Sequence, residues 1–260
     1  MNMVKEKQKW LIIANWKMNP VSGKLAKQVF SSVKKVANKM RSVDTVVCPP
    51  YIYMESLKTT GHRFVLGSQD VFPEPEGSFT GNISYTQLKN LGIKYSLVGH
   101  SERRSHGETN EDINLKVKAC LRGIITPIIC IGEKERDEAG EYLKNLKEQL
   151  VSSLVLLPKT SIKDIVVAYE PVWAIGSNAK REPTNKEIFE VVIFIKKVLS
   201  DIYDTKSVPP TKILYGGSVD EKNIESILKE GGVDGVLVGR ASLDPKKFTE
   251  ILKKAENIKR

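Results

Sequence analysis

The stretch IVVAYEPVWAIG, residues 165–176, begins with five residues that are apolar or aromatic without alternation, then sets one carboxylate, Glu170, directly before a proline. A half-buried strand alternates apolar and polar side chains, whereas an unbroken β-branched run is how a strand buried on both faces reads. Strands of that kind belong to parallel sheets covered by helices. Pro171 closes the run, because it has no N–H to offer a neighbouring strand.

Working outward, seven similar runs recur: LIIAN at 11–15, TVVC at 45–48, FVLGS at 64–68, YSLVG at 95–99, TPIIC at 126–130, KILYG at 212–216 and GVLVG at 235–239. Charged segments with helical spacing separate most of them. In LAKQVFSSVKKVANKM, 25–40, Leu25, Val29, Val33 and Val36 predict one buried helix face, and IFEVVIFIKKVLSDIY, 188–203, is similar. The interval 49–63 leaves room only for a short helix over YMESLKT, and EKERDEAGEYLKNLKEQ at 133–149 reads as solvated helix faces. Eight buried strands alternating with helices, and no linker, predict an α/β fold: a single-domain (β/α)₈ barrel over residues 10–260, preceded by a solvated extension at 1–9. A doubly wound open sheet is the rival architecture. It normally carries a glycine fingerprint, and neither GxGxxG nor GxxxxGK[ST] occurs.

No apolar run is long enough to span a bilayer. Three cysteines without paired spacing, and no signal-peptide core, are read as a cytoplasmic chain. The net charge of +10 comes from Lys and Arg interleaved with Asp and Glu along helical segments, so it predicts solvated faces and no nucleic-acid partner. A mild positive excess suits an anionic small substrate.

Polar residues and glycines collect where the strands end: Asn15 and Lys17 after the first, His100 after the fourth, Glu170 after the sixth, Gly216, Gly217 and Ser218 after the seventh, Gly239 after the eighth. In a barrel that end is where chemistry is done, because it gathers side chains from distant parts of the chain. Taken singly, each has a bland reading: Glu170 a surface salt bridge, His100 a structural histidine, Lys17 a solvated rim residue. Taken together they match a proton transfer. A carboxylate shielded from water can act as a general base. A histidine opening the helical segment SERR is disfavoured as imidazolium by the helix N-terminus, so it would donate as a neutral ring. A lysine in the mouth could meet both a phosphate and a developing oxyanion.

The segments NWKMN (15–19), GHSERR (99–104), AYEPVWAIG (168–176), YGGSV (215–219) and GVLVG (235–239), in this order from about Trp10 to Leu243, resemble the triosephosphate isomerase family. The resemblance implies a TIM barrel, usually dimeric, that interconverts dihydroxyacetone phosphate and glyceraldehyde 3-phosphate in glycolysis and gluconeogenesis without metal or cofactor. A carboxylate base paired with a neutral histidine is the arrangement this family is known for. By resemblance Glu170 is that base, His100 the neutral donor, Lys17 the cation, Asn15 its polar support and Glu102 a further active-site carboxylate. Backbone N–H groups around Gly176, Ser218 and the Gly239–Arg240 pair would hold the phosphate, glycines letting the main chain come close. Pro171, Val172 and Trp173 resemble the first hinge of a mobile lid, and Ala174, Ile175 and Gly176 its covering tip, which expels water. Cys130 is expected to pack and not to react.

Three departures from the family pattern stand out. The lid continues as SNAKREP, with Asn178 and Ala179 where glycine and lysine are usual. Arg240 stands where a second glycine is frequent. Asn82, in a loop with Phe79 and Thr80 that resembles the family's dimer contact, replaces a glutamate that usually pairs with the arginine equivalent to Arg103. Something else must then compensate Arg103, and a homodimer or larger homo-oligomer is still expected. Two other readings are weighed: a different phosphate-binding barrel enzyme would share the glycines of strands seven and eight but not NWKMN, GHSE and AYEPVW, and a catalytically silent scaffold barrel would have lost Lys17, His100 or Glu170.

Overall fold

The computed structural model describes residues 8–59, 61–176, 179, 181–204 and 211–259. Eight parallel strands close on themselves in chain order: β1 (Trp10–Asn15), β2 (Val43–Cys48), β3 (Phe64–Ser68), β4 (Tyr95–Val98), β5 (Thr126–Ile131), β6 (Val166–Tyr169), β7 (Lys212–Tyr215) and β8 (Gly235–Val238). Closure is made by β8 pairing β1, with Leu11 opposite Gly235 and Ala14 opposite Val238. The unbroken apolar runs are explained by two cores. Leu11, Ile13, Val46, Leu97, Ile128, Val166, Leu214 and Leu237 fill the barrel lumen. Their alternate neighbours Ile12, Ala14, Val47, Val98, Ile129, Val167, Ile213 and Val236 pack under the helices. Both faces are dry, so both are mainly apolar, and the polar strand side chains of Thr45, Ser68 and Ser96 are buried with them.

The helices are α1 (Gly23–Ala37), α2 (Tyr51–Met54), α3 (Tyr85–Asn90), α4 (Ser101–Ser105), α5 (Asn110–Arg122), α6 (Glu141–Ser153), α7 (Asn185–Tyr203), α8 (Ile224–Glu230) and α9 (Pro245–Asn257). Starts are written locally: Ser84, Thr109 and Thr184 each form a capping box with the residue three positions on. Three expectations are corrected. The buried face of α1 is Ala26, Val29, Phe30, Val33 and Ala37, while Leu25 is 42% exposed, because the helix turns its broader apolar row inward. The helix expected over YMESLKT starts at Tyr51 and passes into a 3₁₀ turn at Glu55–Leu57. The segment 133–149 is not uniformly solvated: its helix begins at Glu141, and Glu133 is buried at the end of β5. Of the expected N-terminal extension, residues 1–7 lie outside the described residues, and Lys9 pairs with Asp44 at 3.8 Å.

Candidate active site

A cavity of about 850 Å³ opens at the C-terminal ends of the strands and is lined by Asn15, Lys17, His100, Glu102, Glu170, Ser218, Gly239 and Arg240, among others. Lys17 follows β1 with its backbone at φ +50, a left-handed conformation that costs a non-glycine residue about 1–3 kcal/mol. Two contacts hold it there. The Lys17 N–H donates to Asn15 Oδ1 at 3.0 Å, and the Lys17 carbonyl accepts from Gln69 Nε2 at 2.8 Å. Asn15 thus fixes the turn that aims the ammonium, which meets Glu102 Oε1 at 2.6 Å.

His100 ends β4 and is the N-cap of α4, its Nδ1 accepting the Glu102 N–H at 3.2 Å. With Nδ1 placed as an acceptor, Nε2 is the ring position left to donate. The carboxylate of Glu102 also lies 3.8 Å from Nδ1, too far to hydrogen-bond, and the shorter backbone contact decides the assignment. Nε2 faces Glu170 Oε1 at 3.4 Å, and Glu170 Oε2 accepts the Ser101 N–H at 3.4 Å.

Glu170 is 2% exposed. Its backbone N–H is fixed to Ile131 at 2.8 Å, and its side chain lies where only glycine fits: a Cβ on Gly216 would come within 2.8 Å of Glu170 Cγ. Cys130, on the neighbouring strand, is fully buried and burial pushes its thiol well up, which removes the thiolate that reactivity needs.

After Glu170 the chain makes a 3₁₀ turn, Val172–Ala174. Ala174, Ile175 and Gly176 line the cavity, Gly176 at φ +80, whereas Trp173 turns back and donates its indole N–H to Glu133 Oε1 at 2.7 Å. The same oxygen accepts from Tyr169 Oη at 2.9 Å, and the Glu133 carbonyl takes the Val172 N–H at 3.0 Å. Burial raises the Glu133 carboxyl above its usual range. Glu133 therefore ties the 3₁₀ turn after Glu170 to the end of the barrel. The sequence reading missed it, and its one signal was a glutamate in CIGE at a strand end. Ser177 and Asn178, which carry the lid departure, lie outside the described residues; Ala179 lines the cavity.

Gly239 brings the turn after β8 against Lys17: a Cβ there would lie 3.8 Å from Lys17 Cε. Arg240 lines the same wall and opens a 3₁₀ turn, Arg240–Leu243.

Phe79, Thr80, Asn82 and Arg103 are not brought to the cavity. The first three lie on an exposed loop, with Phe79 against Phe72 at a ring separation of 4.5 Å. Arg103 points to the other side of α4, and its compensation comes from its own chain: Nη2 meets Asp70 Oδ2 at 2.8 Å and Nε meets Glu108 Oε1 at 3.3 Å. Lys116, buried, pairs with both of the same carboxylates. Burial raises the Asp70 carboxyl against the pull of Lys116 and Arg103. Asp70→Asn leaves two cations sharing Glu108. Breaking a buried pair costs about 3–5 kcal/mol, and with Arg103 half exposed we expect about 3 kcal/mol, read as a lower urea midpoint. An unchanged midpoint would show that the cluster holds nothing.

Barrel, mouth cavity and the converging imidazole, carboxylate and ammonium groups define an enzyme of the (β/α)₈ class with its cavity at the strand C-termini. Comparison with known proteins narrows this. The family model for triosephosphate isomerase matches residues 10–255. The triosephosphate isomerase of Dictyoglomus thermophilum is 39% identical over 94% of this chain and 98% of its own length. That of Dehalococcoides mccartyi is 38% identical over 96% and 98%, and that of Endomicrobium trichonymphae 38% over 95% and 98%. The chain belongs to the triosephosphate isomerase family, and its function is triose phosphate isomerisation. Among the described residues, no helix is long and apolar enough to cross a membrane, and no group of three or more His, Cys, Asp and Glu could hold a metal ion.

Proposed function

We propose that Glu170 removes the proton from C1 of dihydroxyacetone phosphate and returns it to C2, so that the chain interconverts this ketose with glyceraldehyde 3-phosphate through an enediolate. The observation that carries the reading is the approach of His100 Nε2 to Glu170 Oε1, 3.4 Å, on one cavity that Lys17 also lines. As C1 loses its proton, the C2 carbonyl oxygen takes up negative charge. The Nε2–H of His100 gives its proton to that oxygen, and Nε2 then recovers one from the neighbouring C1 hydroxyl, so that C1 becomes the aldehyde as Glu170 returns its proton to C2. The Lys17 ammonium lies between the developing oxyanion and the phosphate and stabilises both. Asn15 and Glu102 position Lys17, and Glu102 also presents the N–H that keeps Nδ1 unprotonated.

The phosphate is received by Gly176, Ser218 and the Gly239–Arg240 turn, with the lid residues 171–176 closing over it to exclude water and hold the enediolate in the site. The test is a coupled assay of glyceraldehyde 3-phosphate isomerisation by the wild type beside Glu170→Asp; equal turnover by the two would remove Glu170 from the role of base.

The working form is proposed to be a homodimer in the cytoplasm. Met18 and Val21 are 91% and 92% exposed, Ile52 80% and Phe79 42%, a cost to a lone barrel that a second copy removes. The loop after β1 and helix α2 are tied together by the Tyr53 hydroxyl on the Pro20 carbonyl at 2.8 Å, which places Val21 and Ile52 on adjoining elements. Sedimentation is expected to give twice the chain mass of 29.1 kDa, and a single monomeric species at assay concentration would contradict it. A reducing compartment suits the three cysteines, all free and buried.

A further inference from the structure

Beyond the lid tip, the chain runs into α7 through a segment that one carboxylate ties down at both ends. Glu187, in the first turn of α7, accepts from Arg181 Nη1 and Nη2 at 2.8 and 2.6 Å. It also accepts the Thr184 N–H at 2.7 Å and the Thr184 hydroxyl at 3.1 Å. The Arg181 guanidinium holds the Glu187 carboxyl down at about 2, so the tie is ionised at neutral pH. Arg181 further lies over the Trp173 ring at 4.7 Å and donates to the Glu182 carbonyl at 3.2 Å. Pro183 then fixes its own φ and keeps the residue before it extended. Glu182 is left between two anchored neighbours, on the wall of the active-site cavity.

From that bracket Glu182 Oε1 accepts the hydroxyl of Ser218 at 3.1 Å. The carbonyl of Ser218 is engaged too, accepting from Asn223 Nδ2 at 3.0 Å. Ser218 is one of the residues to which the reading above gives the substrate phosphate, and the present inference rests on that reading. A phosphate bound there needs hydrogen-bond donors, and one of them already serves an anion. A carboxylate left beside a bound dianion would be repelled, with water screening the pair because Glu182 and Ser218 are both exposed.

We propose that Glu182 is an internal competitor for the substrate phosphate, its carboxylate occupying the Ser218 hydroxyl in the free enzyme and leaving when phosphate arrives. Glu182 touches the phosphate end only, and the carbons that exchange a proton lie elsewhere, at Glu170 and His100. Its effect therefore falls on KM and not on kcat, and it weakens every ligand that carries the phosphate group.

The experiment compares wild type with Glu182→Gln and Glu182→Ala, using inorganic phosphate in titration calorimetry and glyceraldehyde 3-phosphate in steady-state kinetics. Glu182 is exposed and makes no core contact, so both variants are expected to fold. Removing the charge should tighten phosphate and lower KM by up to about fivefold, the upper end of what exposed charge interactions span, with kcat unchanged. Glu182→Ala, which removes the acceptor as well, should gain at least as much. In a Ser218→Ala background the gain should disappear, because the carboxylate has lost its tether. A gain that persists there would mean only a change in bulk charge and would overturn the proposal, as would unchanged or weaker phosphate binding in both variants. Failure of wild type and variants alike to bind inorganic phosphate would overturn the phosphate site itself, and the proposal with it.

Discussion

Glu170→Asp is expected to lower kcat for glyceraldehyde 3-phosphate about 100-fold while KM moves less than about threefold. The substitution keeps the charge and shortens the side chain by one methylene. The backbone cannot follow to restore the reach. The Glu170 N–H is bound to the Ile131 carbonyl at 2.8 Å, and a Cβ placed on Gly132 would sit 1.7 Å from the Glu170 carbonyl oxygen, so the chain there is already at contact. A misplacement of about 1 Å in a reacting group costs on the order of 10²-fold, because proton transfer needs the donor and acceptor at hydrogen-bond distance. Substrate binding rests on groups the change leaves untouched, which is why KM should hold. A fall in kcat of less than about tenfold would mean that another group takes the proton.

His100→Asn separates the chemical role of this residue from its structural one. As N-cap of α4, His100 satisfies a helix N–H, and asparagine is among the best residues for that task. The helix should therefore persist, and the thermal midpoint should shift by no more than about 4 °C, equivalent to roughly 1 kcal/mol or less. What is lost is the Nε2–H beyond the ring, facing Glu170 at 3.4 Å, since the shorter amide cannot reach that place. Removing one preorganised donor from a developing oxyanion costs on the order of 10²–10³ in kcat. A loss of activity that tracks a large drop in the midpoint would instead assign His100 to structure alone.

Part of this molecule was legible before any coordinates. The strands showed because IVVAY, LIIAN and their counterparts must be apolar on both faces, a demand that acts residue by residue. Helix starts were not read from the sequence, although Thr184 and Glu187 stand three apart and satisfy each other within one turn. Leu25 misled because periodicity alone ranks it beside Val29, while the helix packs on Ala26 and Phe30, whose row is wider. Glu133 misled because its neighbours Lys134, Glu135 and Arg136 are charged. Only the fold reveals that Glu133 sits behind Tyr169 and Trp173 and accepts a bond from each.

By itself the sequence determined the order of the strands and the barrel, and set Lys17, His100 and Glu170 where strands end, because burial pattern and turn chemistry are short-range and leave their mark on adjacent positions. The tertiary structure alone decided what those groups face. The Asp70–Lys116 contact joins residues 46 apart and Ser218–Glu182 joins residues 36 apart. Arg103 finds Asp70 for the same reason, whereas Glu108, its other carboxylate, is a near neighbour in sequence. Such pairings depend on where closure of the sheet carries each strand end, and no local preference along the chain encodes a distance between side chains that meet only after the barrel has closed.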